Sequence, residues 1–409
     1  MISRTERQKE GVKKWIKAGC KGTWCYGTGV GKSFSATMAI MKVLKVKPDA
    51  RILISVPTEF LQKQWMDNYI IKYNLIKNCE VRIVNSIIKS SCEVDLLVID
   101  EAHLVVSDQF RQIFECVDYD MVLCLTATLE RLDGKEILIK QLAPVCDQIT
   151  IEEATSNGWL SPYKEYVVLL DVDMTEYNKW NQEFIGFFSQ LGFDFSRGMT
   201  LSTNIIERRK YAKKMGIDHK QMDAICFGWM DRLRKRRQFV QSHPHKLEIA
   251  RKILDARKDK KCITFCSTIK DSEKLAQKGE FVLHSQKSKK DNSSTIDAFN
   301  QASTGVIHSS KAARTGVDLK GLSVEIILNT DSSKITKVQT VGRTIRFEPG
   351  KQAEIFTLII KGTVEEKWFA NSSTSNYIVI TEQELDKILN YEPLDVRNRI
   401  FFKDIKNRF

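Results

Sequence analysis

Gly27-Thr28-Gly29-Val30-Gly31-Lys32-Ser33 gathers three glycines, an ammonium and a hydroxyl into one short stretch. That combination suits a phosphate. Glycines let the backbone curl so that its N–H groups converge on an anion, and a helix starting there adds the positive end of its dipole. Lys32 is placed to reach the β- and γ-phosphates of a nucleotide and the Ser33 hydroxyl to ligate Mg²⁺, with Thr28, Gly29, Val30 and Gly31 as the cradle. The context fits. Lys21–Tyr26 reads as a short strand, and Met38, Ile40, Met41, Val43 and Leu44 recur downstream at helical spacing. A chance Lys-Ser after a glycine turn would lack both neighbours. Tyr26 is a departure, because the general pattern asks for glycine at that position.

A second constellation is Asp100-Glu101-Ala102-His103, closing the apolar run Val94–Ile99. An aspartate at the end of a buried strand downstream of such a loop can hold Mg²⁺ directly or through water. Glu101 can orient and deprotonate an attacking water. Acidic pairs at strand ends are common on surfaces; Lys32-Ser33 upstream favours the chemical reading.

The elements that must position these groups follow in order. Ser3–Ala18 reads as an opening helix with Val12, Trp15 and Ile16 on one face. Strands are expected at Arg51–Val56, Val81–Val84, Val94–Ile99 and Met121–Leu125, with a helix from Glu59 to about Tyr73. Alternation of strands and helices implies a parallel sheet, and ligands bind such sheets at strand C-terminal ends. Tyr166–Val172 is strand-like. About Thr175 to His245 is helical and basic, with Arg232-Leu233-Arg234-Lys235-Arg236-Arg237 as its densest run and Trp180, Phe184, Phe187, Phe188, Phe195 and Trp229 interleaved. A second α/β unit has strands at Lys261–Cys266, Phe281–Leu283, Gly305–His308, Val324–Leu328 and, last, Ala353–Ile359. Lys287–Ser294 reads as a polar loop. Thr381 and Glu384 form a capping box before a short helix.

The chain has 409 residues, 64 Lys and Arg against 51 Asp and Glu, and a formal net charge of +13. Length implies two or three domains, and the charge favours a polyanionic partner. No apolar run is long enough to span a bilayer, so no membrane role is expected. The ten cysteines show no CxxC pair or zinc spacing. Reduced core thiols, and hence a cytoplasmic setting, are the simplest reading.

Tyr26–Ser33, Asp100–His103, Thr126-Ala127-Thr128 and Gln339-Thr340-Val341-Gly342-Arg343-Thr344-Ile345-Arg346 stand in the order of motifs I, II, III and VI of DEAH-type superfamily 2 helicases, a family that this chain resembles from about Gln8 to Phe369. The resemblance implies an α/β fold of two tandem RecA-like domains, here 1–155 and 156–375, with the helical insertion at about 175–245 inside the second and a helical tail at 376–409. It implies ATP and Mg²⁺ in the cleft between the domains. Gln8 then resembles the adenine-side glutamine, although flanking Arg4, Thr5 and Arg7 do not match the family's run. His103, Thr126 and Thr128 resemble the link between hydrolysis and strand movement, and Gly316 and Asp318 the nucleotide-coupled motif V. Gln339, Arg343 and Arg346 match motif VI, whose arginines neutralise charge on the transferring phosphoryl group when the domains close. On the nucleic-acid side, Pro57-Thr58 with Gln64-Trp65 resembles motif Ia, Asn85 and Ser86 motif Ib, and Ser267 and Thr268 motif IV.

The segments Thr126–Gly134 and Trp159–Tyr163 resemble the DNA-acting branch that includes the excision-repair helicase XPB and the phage recombination helicase UvsW. A monomeric DNA helicase or translocase for forked and four-way DNA in replication, recombination or repair is the leading expectation, contacting backbone phosphates. Junction preference is expected from Arg234, Lys235, Arg236 and Arg237 and from Arg397, Arg399, Lys403, Lys406 and Arg408 in the tail. An RNA helicase and an ATP-gated clamp are the alternatives; intact Lys32, Asp100, Glu101, Arg343 and Arg346 argue against the clamp.

Overall fold

The computed structural model describes residues 2–104, 110–129, 137–310, 317–330, 333–373 and 377–394. Its first helix, Arg4–Lys17, starts where Ser3 and Glu6 cap each other: the Ser3 hydroxyl accepts the Glu6 N–H, and Glu6 accepts the Ser3 N–H at 2.9 Å. Such reciprocal capping satisfies two backbone donors that a helix start leaves free. Val12 and Trp15 bury against the sheet, and the Trp15 indole N–H donates to Val122 O at 3.0 Å. Ile16, read onto the same face, is exposed.

Six strands make the first sheet: β1 (Lys21–Tyr26), β2 (Ile52–Val56), β3 (Cys79–Ile83), β4 (Cys92–Ile99), β5 (Val117–Thr126) and β6 (Val145–Ile149). Their order is β3-β2-β4-β5-β1-β6, and all pairings are parallel. Parallel neighbours need crossover connections, which lay helices on both faces and bury the strands between them. Every residue of β2 is accordingly buried. The chemistry-bearing stretches all leave one edge, at the C-terminal ends of β1, β4 and β5.

β7 (Tyr163–Leu170) begins the second sheet, followed by β8 (Lys261–Phe265), β9 (Phe281–Leu283), β10 (Gly305–Ser309), β11 (Leu322–Ile327), β12 (Ala353–Ile360) and β13 (Ile378–Thr381). The order is β13-β7-β12-β11-β8-β10-β9, again all parallel. Between β7 and β8 stand five helices, the last of them Pro244–Asp255 and the four before it Thr175–Gln190, Phe195–Thr203, Ile205–Met215 and His219–Gln241. Those four enclose a core of their own: Phe184, Leu191, Leu201, Met222, Ile225 and Trp229. Across the cleft the two sheet units share one apolar cluster, running from Tyr26 and Val30 through Leu160 to Val338, Val341 and Ile345.

Three features differ from the sequence reading. β6 was not anticipated, because Asp147 breaks its apolar pattern; that carboxylate is buried on Arg7. β13 follows the strand read as last; at four residues on a sheet edge its signal is short. Lys287–Ser294 is no loop: Ser288 caps a helix, Lys289–Gln301, by accepting the Asp291 N–H at 3.1 Å. Only Phe299 of that helix is buried, so it has little apolar periodicity to read. The ten cysteines are all free. Among the described residues no helix is long and apolar enough to cross a membrane.

The second unit carries a fully buried ion pair. Lys246 Nζ lies 2.7 and 2.8 Å from the Glu365 oxygens and donates to Leu328 O at 3.1 Å, while Glu365 also accepts the Ile360 N–H at 3.1 Å. Removing one partner strands the other charge without water. Lys246→Met should destabilise the chain by about 3–5 kcal/mol in denaturant titration, and adding Glu365→Leu should restore most of that. Equal stability of Lys246→Met and wild type would contradict this account.

Candidate nucleotide site and nucleic-acid faces

β1 ends at Tyr26, the chain turns through Gly29 (φ +87°) and Gly31 (φ +95°), and the helix Lys32–Val46 begins. Left-handed φ is open to glycine at little cost. That helix start has no side-chain cap, so its first N–H groups stay available to an anion. Two side chains of the opening helix hold the turn from outside. Arg4 donates to Val30 O at 2.9 Å and Gly29 O at 2.8 Å, and Gln8 donates to Val30 O at 2.8 Å. Lys32 Nζ donates to Tyr26 O at 3.2 Å. Gln8 thus supports the loop backbone. Arg4, which sequence reasoning set aside, sits one helical turn before Gln8, and that spacing was the available signal.

Tyr26 has its own explanation. Its hydroxyl donates to Asp147 Oδ2 at 2.7 Å, and Asp147 is also held by Arg7 at 2.6 Å and Lys14 at 2.6 Å. These cations hold the Asp147 carboxyl below its ordinary range against the opposing effect of burial. Gly11 makes room: any side chain there would overlap the Tyr26 hydroxyl. A buried tyrosine therefore ties the start of the loop to the opening helix and β6.

Asp100 follows β4, and its N–H donates to Ser55 O of β2 at 2.9 Å. Its Oδ1 accepts the Glu101 N–H at 2.9 Å and its Oδ2 the Trp65 indole N–H at 2.8 Å. Burial, and then the Glu101 charge, push the Asp100 carboxyl up; Trp65 and Lys32 oppose this. Glu101 itself has φ +50°, a left-handed backbone rare for such a residue and a form of strain found at functional sites. From Glu101 a chain of polar contacts leads inward. His103 Nδ1 lies 3.4 Å from Glu101 Oε2 and 3.3 Å from Thr126 Oγ1, and the Thr126 hydroxyl donates to Thr128 O at 2.7 Å.

The helix Lys334–Thr344 of the second unit closes on this group. Gln339 Nε2 donates to Glu101 Oε2 at 3.3 Å. Gly342 lies flat on Thr28; a methyl group at 342 would overlap the Thr28 side chain. Arg343 is buried, donates to Val317 O, and faces Glu101 and Glu325; burial pushes its guanidinium down to about 10. Arg346 pairs with Asp318 and also faces Tyr69. Gly316 lies outside the described residues. The structure therefore brings Lys32, Ser33, Asp100, Glu101, Gln339, Arg343 and Arg346 to one cleft, with Tyr69, which sequence reasoning missed, and Trp65, which it placed on the nucleic-acid side, as neighbours.

The residues fit Mg·ATP. Among the described residues no group of three or more His, Cys, Asp or Glu could hold a metal ion. A lone carboxylate with a hydroxyl suits Mg²⁺, which is commonly bound by one or two carboxylates together with substrate phosphates and water.

The strand-end residues assigned to nucleic acid are less free than expected. Thr58 caps Glu59–Trp65 by accepting the Leu61 N–H at 3.3 Å. Asn85 and Ser86 lie in a helical turn, Val84–Ile87, not in a loop, and Ser86 donates to Ile83 O at 2.7 Å. Ser267 donates to Gln241 O at 2.6 Å, and Thr268 to Asp271 Oδ2 at 2.7 Å. Pro57 and Gln64 are half-buried. Backbone N–H groups and nearby lysines must then carry much of any phosphate contact. On the insertion, Arg234 and Arg237 are exposed, Lys235 pairs with Asp231 at 3.0 Å, and Arg236 lies over the Phe184 ring at 4.1 Å. Of the interleaved aromatics, Phe184 and Trp229 are buried and stack on each other, Phe187 and Phe188 pack against them, and Phe195, edge-on to Trp229, is exposed. The basic tail from Arg397 lies outside the described residues.

Residues 245–348 match the helicase conserved C-terminal domain, and residues 83–131 match the type III restriction enzyme, res subunit. Together these two matches cover less than half of the 409 residues. A relative in Sulfurisphaera tokodaii, the DNA 3'-5' translocase XPB2, is 26% identical over 385 residues, covering 89% of this chain and 83% of that protein. Two solved structures share the fold. The Pyrococcus furiosus Hef helicase domain has a TM-score of 0.56 at 16% identity, covering 89% of this chain and 97% of that one. Saccharomyces cerevisiae Dbp5 bound to RNA and ADP BeF3 has a TM-score of 0.61 at 12% identity, covering 94% and 92%. Two tandem RecA-like α/β domains are thereby established.

One titration follows from how the protein seats its arginine helix. Glu325 of β11 is fully buried, accepts from Thr344 at 2.7 Å, and faces Thr340, Arg343 and Glu165, itself paired with Lys337. Burial raises its carboxyl to about 7. The unfolded chain therefore loses this proton near pH 4.5 while the folded one keeps it to about 7. Between those values the folded state binds more protons, so its stability falls as pH rises. Glu325→Gln should remove that slope and stabilise the protein at pH 8 by on the order of 1–3 kcal/mol, read by thermal unfolding across pH 5 to 8. An unchanged slope would show that Glu325 is not the titrating group.

Proposed function

We propose that this protein is an ATP-dependent DNA helicase or translocase that unwinds or branch-migrates forked and four-way DNA. The carrying observation is the Gln339–Glu101 hydrogen bond across the cleft, with Arg343 and Arg346 beside it. Bound ATP would supply the phosphoryl group and Mg²⁺ would offset its negative charge. Lys32 and the loop N–H groups would hold the phosphates, Ser33 and Asp100 the metal, and Glu101 would take a proton from water. Gln339 would orient Glu101. Arg346 would leave Asp318 to face the phosphoryl group, with Arg343 behind it. These side chains come from both domains, so the hydrolytic geometry exists only while the cleft is closed. Hydrolysis is in this way tied to domain motion.

A DNA substrate is supported by the relative named as a DNA translocase and by the net charge of +13. Likeness to the RNA-bound neighbour is a likeness of fold. ATP hydrolysis measured against single-stranded DNA, duplex, fork, four-way junction and RNA tests the reading, with stimulation greatest on branched DNA. Lys32→Ala should abolish hydrolysis while leaving nucleotide-free DNA binding intact, because the phosphates lose their cation. Stimulation by RNA alone would move the substrate to RNA; wild-type turnover in Lys32→Ala would overturn the site.

For branched DNA we keep the insertion but narrow the contact to its outward cations. Arg234→Ala, Lys235→Ala and Arg237→Ala together should lower the salt dependence of junction binding by up to about one phosphate contact each, with single-strand-stimulated ATPase nearly unchanged. Unwinding of a four-way junction should fall in parallel. Unchanged junction binding would remove the insertion from the mechanism.

A further inference from the structure

The helix that leaves β2 has two ends with different neighbours. Glu59–Trp65 is α-helical and opens into a π-helical stretch, Met66–Ile71. Such wide turns are rare and concentrate at functional sites. Here the change of winding follows Trp65, which is 1% exposed and donates its indole N–H to Asp100 Oδ2 at 2.8 Å. The other Asp100 oxygen is taken by the Glu101 N–H. Within the wide turn, the Tyr69 ring lies 5.2 Å from that of Trp65, and its hydroxyl faces Ser33. One helix end thus touches both residues assigned to the metal.

The opposite end begins at Pro57-Thr58, on the edge assigned to backbone phosphates. Glu59 there pairs with Lys289 of the second domain. At about 1.5 Å of rise per residue, Thr58 and Trp65 are on the order of 10 Å apart along one stiff rod. A shift of a few tenths of an ångström at Thr58 is carried to an N–H···O bond whose strength falls steeply with misalignment. A tryptophan that only needed a partner for its N–H would be satisfied by a carbonyl, as Trp15 is by Val122 O. Trp65 instead meets a buried carboxylate that must stay ionised to hold a cation, and a donor to the charged form favours it.

We infer that Trp65 is a positioning residue that makes the metal-side carboxylate of Asp100 respond to nucleic acid held at the Pro57-Thr58 end of its own helix. This rests on the nucleotide site proposed above. The device is the rigid helix with a hydrogen bond at one end and phosphate contacts at the other, and it lies wholly within the first domain. It therefore acts beside the closing of the cleft, not through it.

Trp65→Phe keeps the ring and removes the donor. The Mg²⁺ concentration for half-maximal DNA-stimulated hydrolysis should rise about ten-fold, whereas binding of metal-free ATP should change by less than about two-fold, as expected for one lost bond to a charged group. The ratio of DNA-stimulated to basal hydrolysis should fall with it. A merely structural tryptophan would alter both bindings alike. A second readout needs no turnover: the Trp65 indole ¹⁵N–¹H resonance of the full chain. It should move when single-stranded DNA is added without nucleotide, and again with Mg²⁺ and a non-hydrolysable ATP analogue. If Trp65→Phe does not fold, that resonance, assigned by substituting the other tryptophans in turn, decides alone. A wild-type chain with no DNA-stimulated hydrolysis overturns the proposed function. A stimulated wild type whose Trp65 resonance ignores DNA, or whose Trp65→Phe variant keeps its Mg²⁺ requirement and stimulation, overturns this inference only.

Discussion

Asp100 and Glu101 put two carboxyl groups side by side at the mouth of a buried strand, and like charges in a low-dielectric setting repel. Much of what surrounds them is what that pair requires. Lys32 supplies a cation from the phosphate loop, Trp65 and the Glu101 N–H occupy the two Asp100 oxygens, and Gln339 reaches Glu101 from the other domain. Arg343 stays buried because Glu101 and Glu325 face it. Removing any one of these shifts a load onto the rest, which is why their effects should be non-additive in double-variant cycles.

The polar residues at strand ends were legible because phosphate and metal chemistry demands particular residue types, and a strand places them at one edge. Lys32-Ser33 and Asp100-Glu101 needed only that logic, whereas Gln339 to Arg346, on and just after a helix, were read through the family resemblance. What was not legible depended on a distant partner. Tyr26 looked anomalous until Asp147 appeared opposite it, and Asp147 in turn hid β6 by interrupting an apolar run. Trp65 read as part of a nucleic-acid motif, yet its N–H faces the metal side. Nothing local to Trp65 names Asp100 as its acceptor.

The insertion shows a different failure. Its basic run with interleaved aromatics fits either a solvated face or a nucleic-acid contact. Residues 180, 184, 187 and 188 in fact fall at helical spacing, the pattern of one buried stripe. Phe184 and Trp229 duly form the core, and Arg236 covers Phe184 as a cation over a ring face. Charge density along the sequence overstated what reaches solvent, since Arg232 and Lys235 are paired with acids of the insertion itself.

Two connections join the domains to the phosphate loop, and they act in opposite senses. The linker Leu160-Ser161 bonds to the end of the arginine helix, with the Ser161 N–H donating to Ile345 O at 2.9 Å and its hydroxyl to Arg346 O at 3.0 Å. Leu160 also closes over Gly29. This segment fastens Arg346 to the chain that leaves the first domain, so the arginine cannot move without the linker. The Gly342–Thr28 contact, by contrast, is only close packing and can part. A hinge that stays bonded next to a face that separates is the arrangement domain opening requires. A rotation about Leu160-Ser161 would carry Arg343 and Gln339 away from Glu101 while Lys32 and Asp100 stayed on their own sheet.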